Sequence, residues 1–246
     1  VLSDSGATAL VYHGAFSEVI EQARASLPNI KLFLQVNGGD NLPLLPGAVD
    51  YDAAMASHQP MAPIQRSGAD SLLLYTGGTT GVSKGAMLSH SNLVANMQQS
   101  SSWIGKNAKE GSEVIITALP LYHIFALTAN CLVFMKFGGL NYLITNPRDM
   151  PGFVKELKKS NFTAITGVNT LFNGLLNTPG FDKLDFSRMH LALGGGMAVQ
   201  KAVAEKWKKV TGVTLIEAYG LTETCGFCTA TPPSRIKIGY AGVKAL

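Results

Sequence analysis

Residues 71–97 read SLLLYTGGTTGVSKGAMLSHSNLVANM. The opening SLLLY is apolar without alternation, the pattern of a strand buried on both faces. Residues 76–85 then gather four glycines, three threonines, a serine and a lysine. Next comes LSHSNLVANMQQSSSW, with Ser89 or Ser91 as a cap and Leu93, Asn96, Met97 and Ser100 at helical spacing. The same strand-then-helix order continues on both sides. Toward the C-terminus, strands are expected in EVIITALP, LNYLIT, FTAITGV, MHLALG and TLIEAYG. Between them, helices are expected in HIFALTANCLVFMKF, DMPGFVKELKKS, NTLFNGLLNT and AVQKAVAEKWKKVT. Toward the N-terminus, ATALVY and KLFLQV flank the helix-like FSEVIEQARASL as one βαβ unit. This alternation predicts an α/β fold, doubly wound around mostly parallel sheets. Residues 37–70, rich in Gly, Pro, Asp and Asn, read as a surface excursion or a join between lobes.

Composition removes several alternatives. A 246-residue chain with 46% hydrophobic residues can bury a substantial core and is not disordered. Lys plus Arg number 20 against 16 Asp plus Glu, a mild excess. Lys201, Lys206, Lys208 and Lys209 read as the polar face of one helix rather than a nucleic-acid stripe. Three cysteines, Cys131, Cys225 and Cys228, do not make a disulfide framework, and the default setting is reducing. The CGFC at 225–228 permits a dithiol reading, but zinc would need two further ligands that the sequence does not offer. The apolar run 124–135 is too short to span a bilayer, and no signal peptide opens the chain.

In an open α/β sheet, ligands sit beyond the carboxyl ends of the strands. Three polar clusters fall at expected strand ends. In the first, Gly77, Gly78, Gly81 and Gly85 let the backbone approach phosphate oxygens. Thr76, Thr79, Thr80 and Ser83 add hydroxyls, and Lys84 a mobile charge. The order Ser83-Lys84-Gly85 departs from the G-x-x-x-x-G-K-[ST] phosphate loop, so this is a different device. In the second, Gly194, Gly195 and Gly196 suggest a flat backbone surface for a planar group. In the third, YGLTET, Tyr219 is able to stack on a base, Thr222 to donate to a phosphate and Glu223 to hold Mg²⁺. A helix cap at Thr222 with Glu223 in the first turn is the structural alternative. His123, after another strand, suits either a carboxylate contact or a hydrogen bond at a helix start.

Together these segments resemble the adenylate-forming acyl-CoA synthetases, and within them the bacterial long-chain fatty acid to CoA ligases. YTGGTTGVSKGAMLSHSNLVAN is similar to their phosphate-binding signature, with Gly77 where the family has serine and Ser83 where it has proline. ALPLYHIFALT, LITNPRDMPGFVKEL, FTAITGVNTLFNGLLN, LDFSRMHLALGGGMAV and EAYGLTET extend the likeness over nearly the whole chain. The resemblance implies a fatty acid, ATP, Mg²⁺ and coenzyme A as reactants and cofactor, and an acyl-adenylate as intermediate. It implies that Thr76, Thr79, Thr80 and Lys84, with the glycines at 77, 78 and 81, embrace the triphosphate, Thr80 lying near Mg²⁺. Gly195 and Gly196 border adenine and the acyl tunnel, and Tyr219 stacks on adenine. Thr222 contacts the α-phosphate, Glu223 coordinates Mg²⁺, and His123 sits near the acyl carboxylate.

The family continues beyond YGLTET into a hinge and a small C-terminal domain bearing the adenylation lysine. Residues 1–246 are therefore expected to be the central part of the large adenylation domain, incomplete at both ends and weak or inactive alone. The expected setting is cytoplasmic, with peripheral association at the inner face of the membrane as an option for the whole enzyme. An aryl or shorter-chain acyl ligase and a non-catalytic nucleotide-binding fragment are the alternatives. A phosphate-loop NTPase is disfavoured by Ser83-Lys84-Gly85, and nucleic-acid binding has no feature in its support.

Overall fold

In the computed structural model, which describes residues 1–77, 81–105, 107–232, 236, 240, 241, 243 and 244, the chain divides into two units. One is Val1–Ser67 with Tyr75–Gly85, the other Gly68–Leu74 with Ala86–Leu246.

In the first unit, β1 (Ala9–His13) and β2 (Leu32–Val36) pair in parallel with α1 (Ser17–Arg24) as the crossover, as the sequence predicts. Tyr12, Ile20, Ile30 and Phe33 form its core. Segment 37–70 is less of a loop than expected. It contains β3 (Val49–Asp50), which joins β2 in parallel, and α2 (Tyr51–Ser57), whose N-terminus is capped by Asp50 accepting from the Ala53 amide at 2.8 Å. Wholly buried Gln35 organises the turns before β3. Its Oε1 accepts from Tyr12 Oη and the Leu45 amide, both at 3.0 Å. Its Nε2 donates to Asn37 Oδ1 and the Pro43 carbonyl, both at 2.9 Å.

The stretch around the glycine-rich loop differs from expectation. β4 (Ser71–Thr76) has no buried residue and pairs with β5 (Lys84–Ser89) in a two-stranded sheet of its own. The expected doubly buried strand and loop-to-helix passage are thus replaced by a pair of strands. The reason lies in a period of two. Leu72, Leu74, Ala86 and Leu88 gather with Leu93, Ile124 and Cys225, while Met87 points to solvent.

The second unit opens with α3 (His90–Ile104). Ser89 caps it, accepting from the Asn92 amide at 3.1 Å, and Asn92 Oδ1 accepts in return from the Ser89 amide at 3.2 Å. Then follow β6 (Val114–Thr117), a π-helical segment (Ala126–Leu132), α4 (Val133–Lys136), β7 (Leu140–Leu143), α5 (Met150–Ser160), β8 (Ala164–Gly167) and α6 (Asn169–Leu176). β9 (Leu191–Gly194), α7 (Lys201–Thr211), β10 (Leu215–Tyr219), β11 (Thr229–Ala230) and β12 (Val243–Lys244) complete it. The sheet order is β12-β11-β10-β9-β8-β6-β7. From β10 to β7 all pairings are parallel, and β11 and β12 are antiparallel additions.

The strands alternate between two cores. Ile116, Ile165, Ala192 and Leu215 face one core with residues of α5, α6 and α7. Ile115, Ala164, Leu191, Leu193 and Ile216 face the other with Ile104, Ala129, Val133 and Phe134. Helices cover both faces, which is the doubly wound arrangement expected. On α7, Val203, Ala204 and Trp207 are buried while Lys201, Lys206, Lys208 and Lys209 are exposed, as the periodicity predicts. Buried Asn130 ties the π-helical segment to the sheet. Its Nδ2 donates to Thr117 Oγ1 at 3.0 Å and its Oδ1 accepts from Thr166 Oγ1 at 2.8 Å. Among the described residues, no helix is long and apolar enough to cross a membrane.

Just before β6, Glu113 is nearly fully buried. It accepts from Thr163 Oγ1 at 2.5 Å, the Lys109 amide at 2.6 Å and His190 Nε2 at 3.0 Å. Burial alone would raise its pKa. The hydrogen bonds from Thr163 and the Lys109 amide, with the charge and hydrogen bond of His190, outweigh it and hold the carboxyl below its ordinary value. A carboxyl that titrates lower when folded stabilises the fold above about pH 4.3 and loses that contribution as pH falls through the folded value. Glu113→Gln is therefore expected to lower stability at neutral pH by about 1–3 kcal/mol. It should also flatten the pH dependence of stability below about pH 4.3. Urea denaturation across pH checks both, and an acid limb identical to wild type counts against the assignment.

Candidate functional site

A pocket of about 200 Å³ opens beyond the carboxyl ends of β9 and β10, completed by residues that follow β6. Its wall comprises His123 to Phe125, Thr128 and Ala129, Gly195 and Gly196, Ala218 to Thr222, and Gly226 with Phe227. The strands end here because their side-chain alternation gives way to glycine. The Gly195 amide donates to the Gly167 carbonyl at 3.1 Å, which carries the chain across the end of β8. Gly196 has φ 74°, a conformation that favours glycine. The three consecutive glycines have separate reasons. A side chain on Gly194 would meet Val199, and one on Gly195 would press on the Phe125 ring.

Segment 219–228 doubles back on itself. A β-carbon on Gly220 would overlap the carbonyl of Gly226. The Gly226 amide donates to the Leu221 carbonyl at 3.0 Å, and the Cys228 amide to the Tyr219 carbonyl at 3.0 Å. Two helical side chains hold this loop from behind. Thr128 Oγ1 donates to the Cys225 carbonyl at 2.8 Å, and Asn96 Nδ2 to the Phe227 carbonyl at 2.8 Å. Cys225 sits at φ 60°, and burial pushes its thiol pKa up, so CGFC serves here as a backbone turn rather than a thiolate centre.

His123, Gly195, Gly196, Tyr219 and Thr222 all come to this one pocket. His123 Nδ1 accepts from the Phe125 amide at 3.2 Å, the hydrogen bond of a helix start. In the neutral ring that leaves the proton on Nε2, so capping and a role in the pocket are compatible. Tyr219 is 53% exposed. Thr222 and Glu223 begin a short 3₁₀ turn, with Glu223 exposed next to the wall rather than in it. The helix start raised as the structural alternative is only this single turn, and Leu221 rather than Thr222 stands at its cap position.

Thr76, Gly77, Gly81, Lys84 and Gly85 belong to the first unit. There Lys84 begins β5, its carbonyl accepts from Thr76 Oγ1 at 3.4 Å, and Gly81 has φ 145°. Neighbouring Tyr75 donates to Asp4 Oδ2 at 2.5 Å. Gly78, Thr79 and Thr80 lie outside the described residues. Among the described residues no group of three or more His, Cys, Asp or Glu side chains is placed to hold a metal ion.

Sequence reasoning did not assign Gly220, Phe227 or Thr128 to the site, and it read Asn96 only as a helical position. Only Gly220 carried a local signal, as a glycine directly after a strand.

A model of the AMP-binding enzyme family matches residues 1–245. The chain belongs to the AMP-binding enzyme family. It is 45% identical over 255 aligned residues to a long-chain-fatty-acid–CoA ligase of Escherichia coli O6:H1, an alignment covering 94% of this chain and 45% of that protein. This AMP-binding chain thus spans less than half the length of that curated relative. Among solved structures, the anthranilate CoA ligase AuaEII in complex with anthranoyl-AMP superposes with a TM-score of 0.89 at 22% identity. That match covers 99% of this chain and 46% of the ligase, and shows the fold. ATP-bound MatB from Rhodopseudomonas palustris superposes with a TM-score of 0.79 at 26% identity over all of this chain and 46% of MatB.

The contact between Gly220 and Gly226 is testable. Gly220→Ala is expected to force the two strands of the turn apart and cost about 1–3 kcal/mol of stability, measured by urea denaturation. A fully neutral substitution would mean the turn tolerates a wider separation.

Proposed function

We propose that the full-length protein joins a long-chain fatty acid to coenzyme A through an acyl-adenylate. In this reading the carboxylate attacks the α-phosphorus of ATP, one oxygen–phosphorus bond forms and pyrophosphate leaves. The thiol of coenzyme A then attacks the acyl carbon, AMP leaves and the thiol proton passes to solvent. The observation that carries the reading is the 45% identity to a long-chain ligase along 94% of the chain. It is supported by the convergence of His123, Gly195, Gly196, Tyr219 and Thr222 on one pocket and by the family's ATP-bound member MatB.

The residues divide the work by charge. A carboxylate and a polyphosphate repel, so the site must neutralise both and stabilise the charge that builds on the leaving pyrophosphate. Tyr219 offers its exposed ring to adenine, and the bare backbone at Gly195 and Gly196 lets the base lie close. Thr222 donates to the α-phosphate. His123, with its Nε2 proton, orients the acyl carboxylate. Thr76 and Lys84, with the glycines at 77, 78 and 81 and the threonines at 79 and 80, hold the β- and γ-phosphates.

Mg²⁺ would be held by Glu223, with Thr80 near it, and would offset charge on the triphosphate. A lone exposed carboxylate fits this ion, which keeps several waters and binds through one or two carboxylates plus substrate phosphates. The whole enzyme, on this reading, works in the cytoplasm and meets its fatty acid at the inner face of the membrane.

One observation favours a shorter or aromatic acid. The pocket of about 200 Å³ is smaller than the roughly 300–1,000 Å³ usual for small-molecule sites. Palmitate-dependent exchange of pyrophosphate into ATP by the full-length protein tests the main reading. Thr222→Ala and Glu223→Gln are each expected to lower kcat about a hundredfold. Exchange with benzoate but not palmitate would select the aryl alternative, and ATP binding without any exchange would select a non-catalytic nucleotide-binding protein.

A further inference from the structure

The boundary between the two units falls inside β4, between Leu74 and Tyr75, and inside β5, between Gly85 and Ala86. Segment 75–85, with the glycine-rich loop, therefore takes its place from the first unit. Packing gives it little hold. No residue of β4 is buried, and a β-carbon added at Gly77 or Gly81 would meet nothing within 4 Å. Hydrogen bonds at the base of the loop do more. Thr76 Oγ1 donates to the Lys84 carbonyl at 3.4 Å, which closes the two arms on each other. Side chains alternate along a strand, so Tyr75 turns the opposite way from Thr76. Its hydroxyl donates to Asp4 Oδ2 at 2.5 Å, across 71 positions of the sequence.

Asp4 is itself anchored. It sits in a turn where the Ser5 amide donates to the Val1 carbonyl at 2.9 Å and Ser5 Oγ to the Leu2 carbonyl at 3.0 Å. Gly6, at φ 65°, leads from this turn toward β1, and Ala7 and Leu10 pack on the core of Tyr12, Ile20, Ile30 and Phe33. The hydrogen bond to Asp4 raises the Tyr75 phenol above its ordinary pKa, so the hydroxyl remains a donor at neutral pH. A hydrogen bond to a carboxylate is stronger than one between neutral groups. On an exposed surface it still adds little to overall stability. Its effect is on where the backbone of β4 ends.

We propose that Asp4 is a positioning residue for triphosphate binding. Through Tyr75 it holds the end of β4, so that the amides and hydroxyls that follow are in place before ATP arrives. This rests on the reading in which Thr76, Lys84 and the residues between them hold the β- and γ-phosphates. Direct contact between Asp4 and the phosphates would be repulsive, since both are anions, so its action passes through the Tyr75 hydroxyl. Donors set in advance spare the ligand the cost of ordering them, and a misplacement of about 1 Å can cost about a hundredfold.

The test follows palmitate-dependent exchange of pyrophosphate into ATP by the full-length protein. Asp4→Ala removes the acceptor, Asp4→Asn keeps an oxygen for the Tyr75 hydroxyl, and Tyr75→Phe removes the donor but keeps the ring. KM for ATP is expected to rise about tenfold in Asp4→Ala and in Tyr75→Phe, with kcat and KM for palmitate within about twofold. Asp4→Asn should return KM for ATP to within about threefold of wild type. The double variant Asp4→Ala with Tyr75→Phe is expected to be no worse than either single one. An unchanged KM for ATP in Asp4→Ala, equal rises for both substrates, or additive effects in the double variant overturn the proposal. If wild type activates no fatty acid, the acyl-ligase reading fails separately, and binding of trinitrophenyl-ATP decides the role of Asp4. Binding about tenfold weaker in Asp4→Ala and restored in Asp4→Asn supports it. Equal binding by all, or none by wild type, overturns it.

Discussion

The central strands of the larger unit are four or five residues long and are covered on both faces. That constraint governs the rest. A strand of four residues has two side chains per face, and in β6, β8 and β9 every position but Val114 is buried and every side chain but those of Thr117 and Thr166 is apolar. Such a strand holds no side chain in reserve for chemistry. Polar side chains and bare backbone that line a pocket are found past the carboxyl ends instead, at 195–196 and 219–222 and in the segment from His123. Two of the polar side chains buried inside are well paired. Asn130 satisfies both ends of its amide against Thr117 and Thr166, and Glu113 collects three donors, as a buried polar group must to avoid a net penalty.

Much of this architecture was legible in the sequence because it is written in short periods. The apolar runs 114–117, 164–167 and 191–194 and the helical stripe of Val203, Ala204 and Trp207 need no distant information. The Ser89 cap also depends only on a residue three positions away. β5 was missed because KGAMLS carries its signal in just two side chains, Leu88 inward and Met87 outward, among residues that favour turns. β3 and α2 were missed because a two-residue strand has no period at all, though Asp50 was available as a cap.

At the site, the most conspicuous glycines are not where the backbone packs most tightly. The triplet at 194–196 suggested one flat surface, yet the tightest backbone approach belongs to Gly220, a single glycine inside YGLTET. Likewise CGFC attracted notice for its sulfurs, while the residues that line the pocket are the two between them, Gly226 and Phe227. The bond from Asn96 to the Phe227 carbonyl spans 131 positions in the chain. No window along the sequence reports a contact of that range, and only the folded chain brings α3 behind the loop.

The π-helical turn at Ala126–Leu132 bears on how this segment tolerates changes in length. A π-turn holds one residue more than an α-turn, and such turns often mark functional positions. Losing a single residue from this stretch would let it relax to ordinary α-helix with the turns on either side still in phase, whereas the same loss from ordinary α-helix would rotate everything on one side of the deletion by about 100°. Within the wide turn Thr128 bonds to Cys225, and Asn130 to Thr117 and Thr166, so the contacts to the loop and to the sheet are both made from this stretch. The count of residues is thus itself a structural quantity here, and its direction matters: the segment has one residue to give up before its two ends turn against each other.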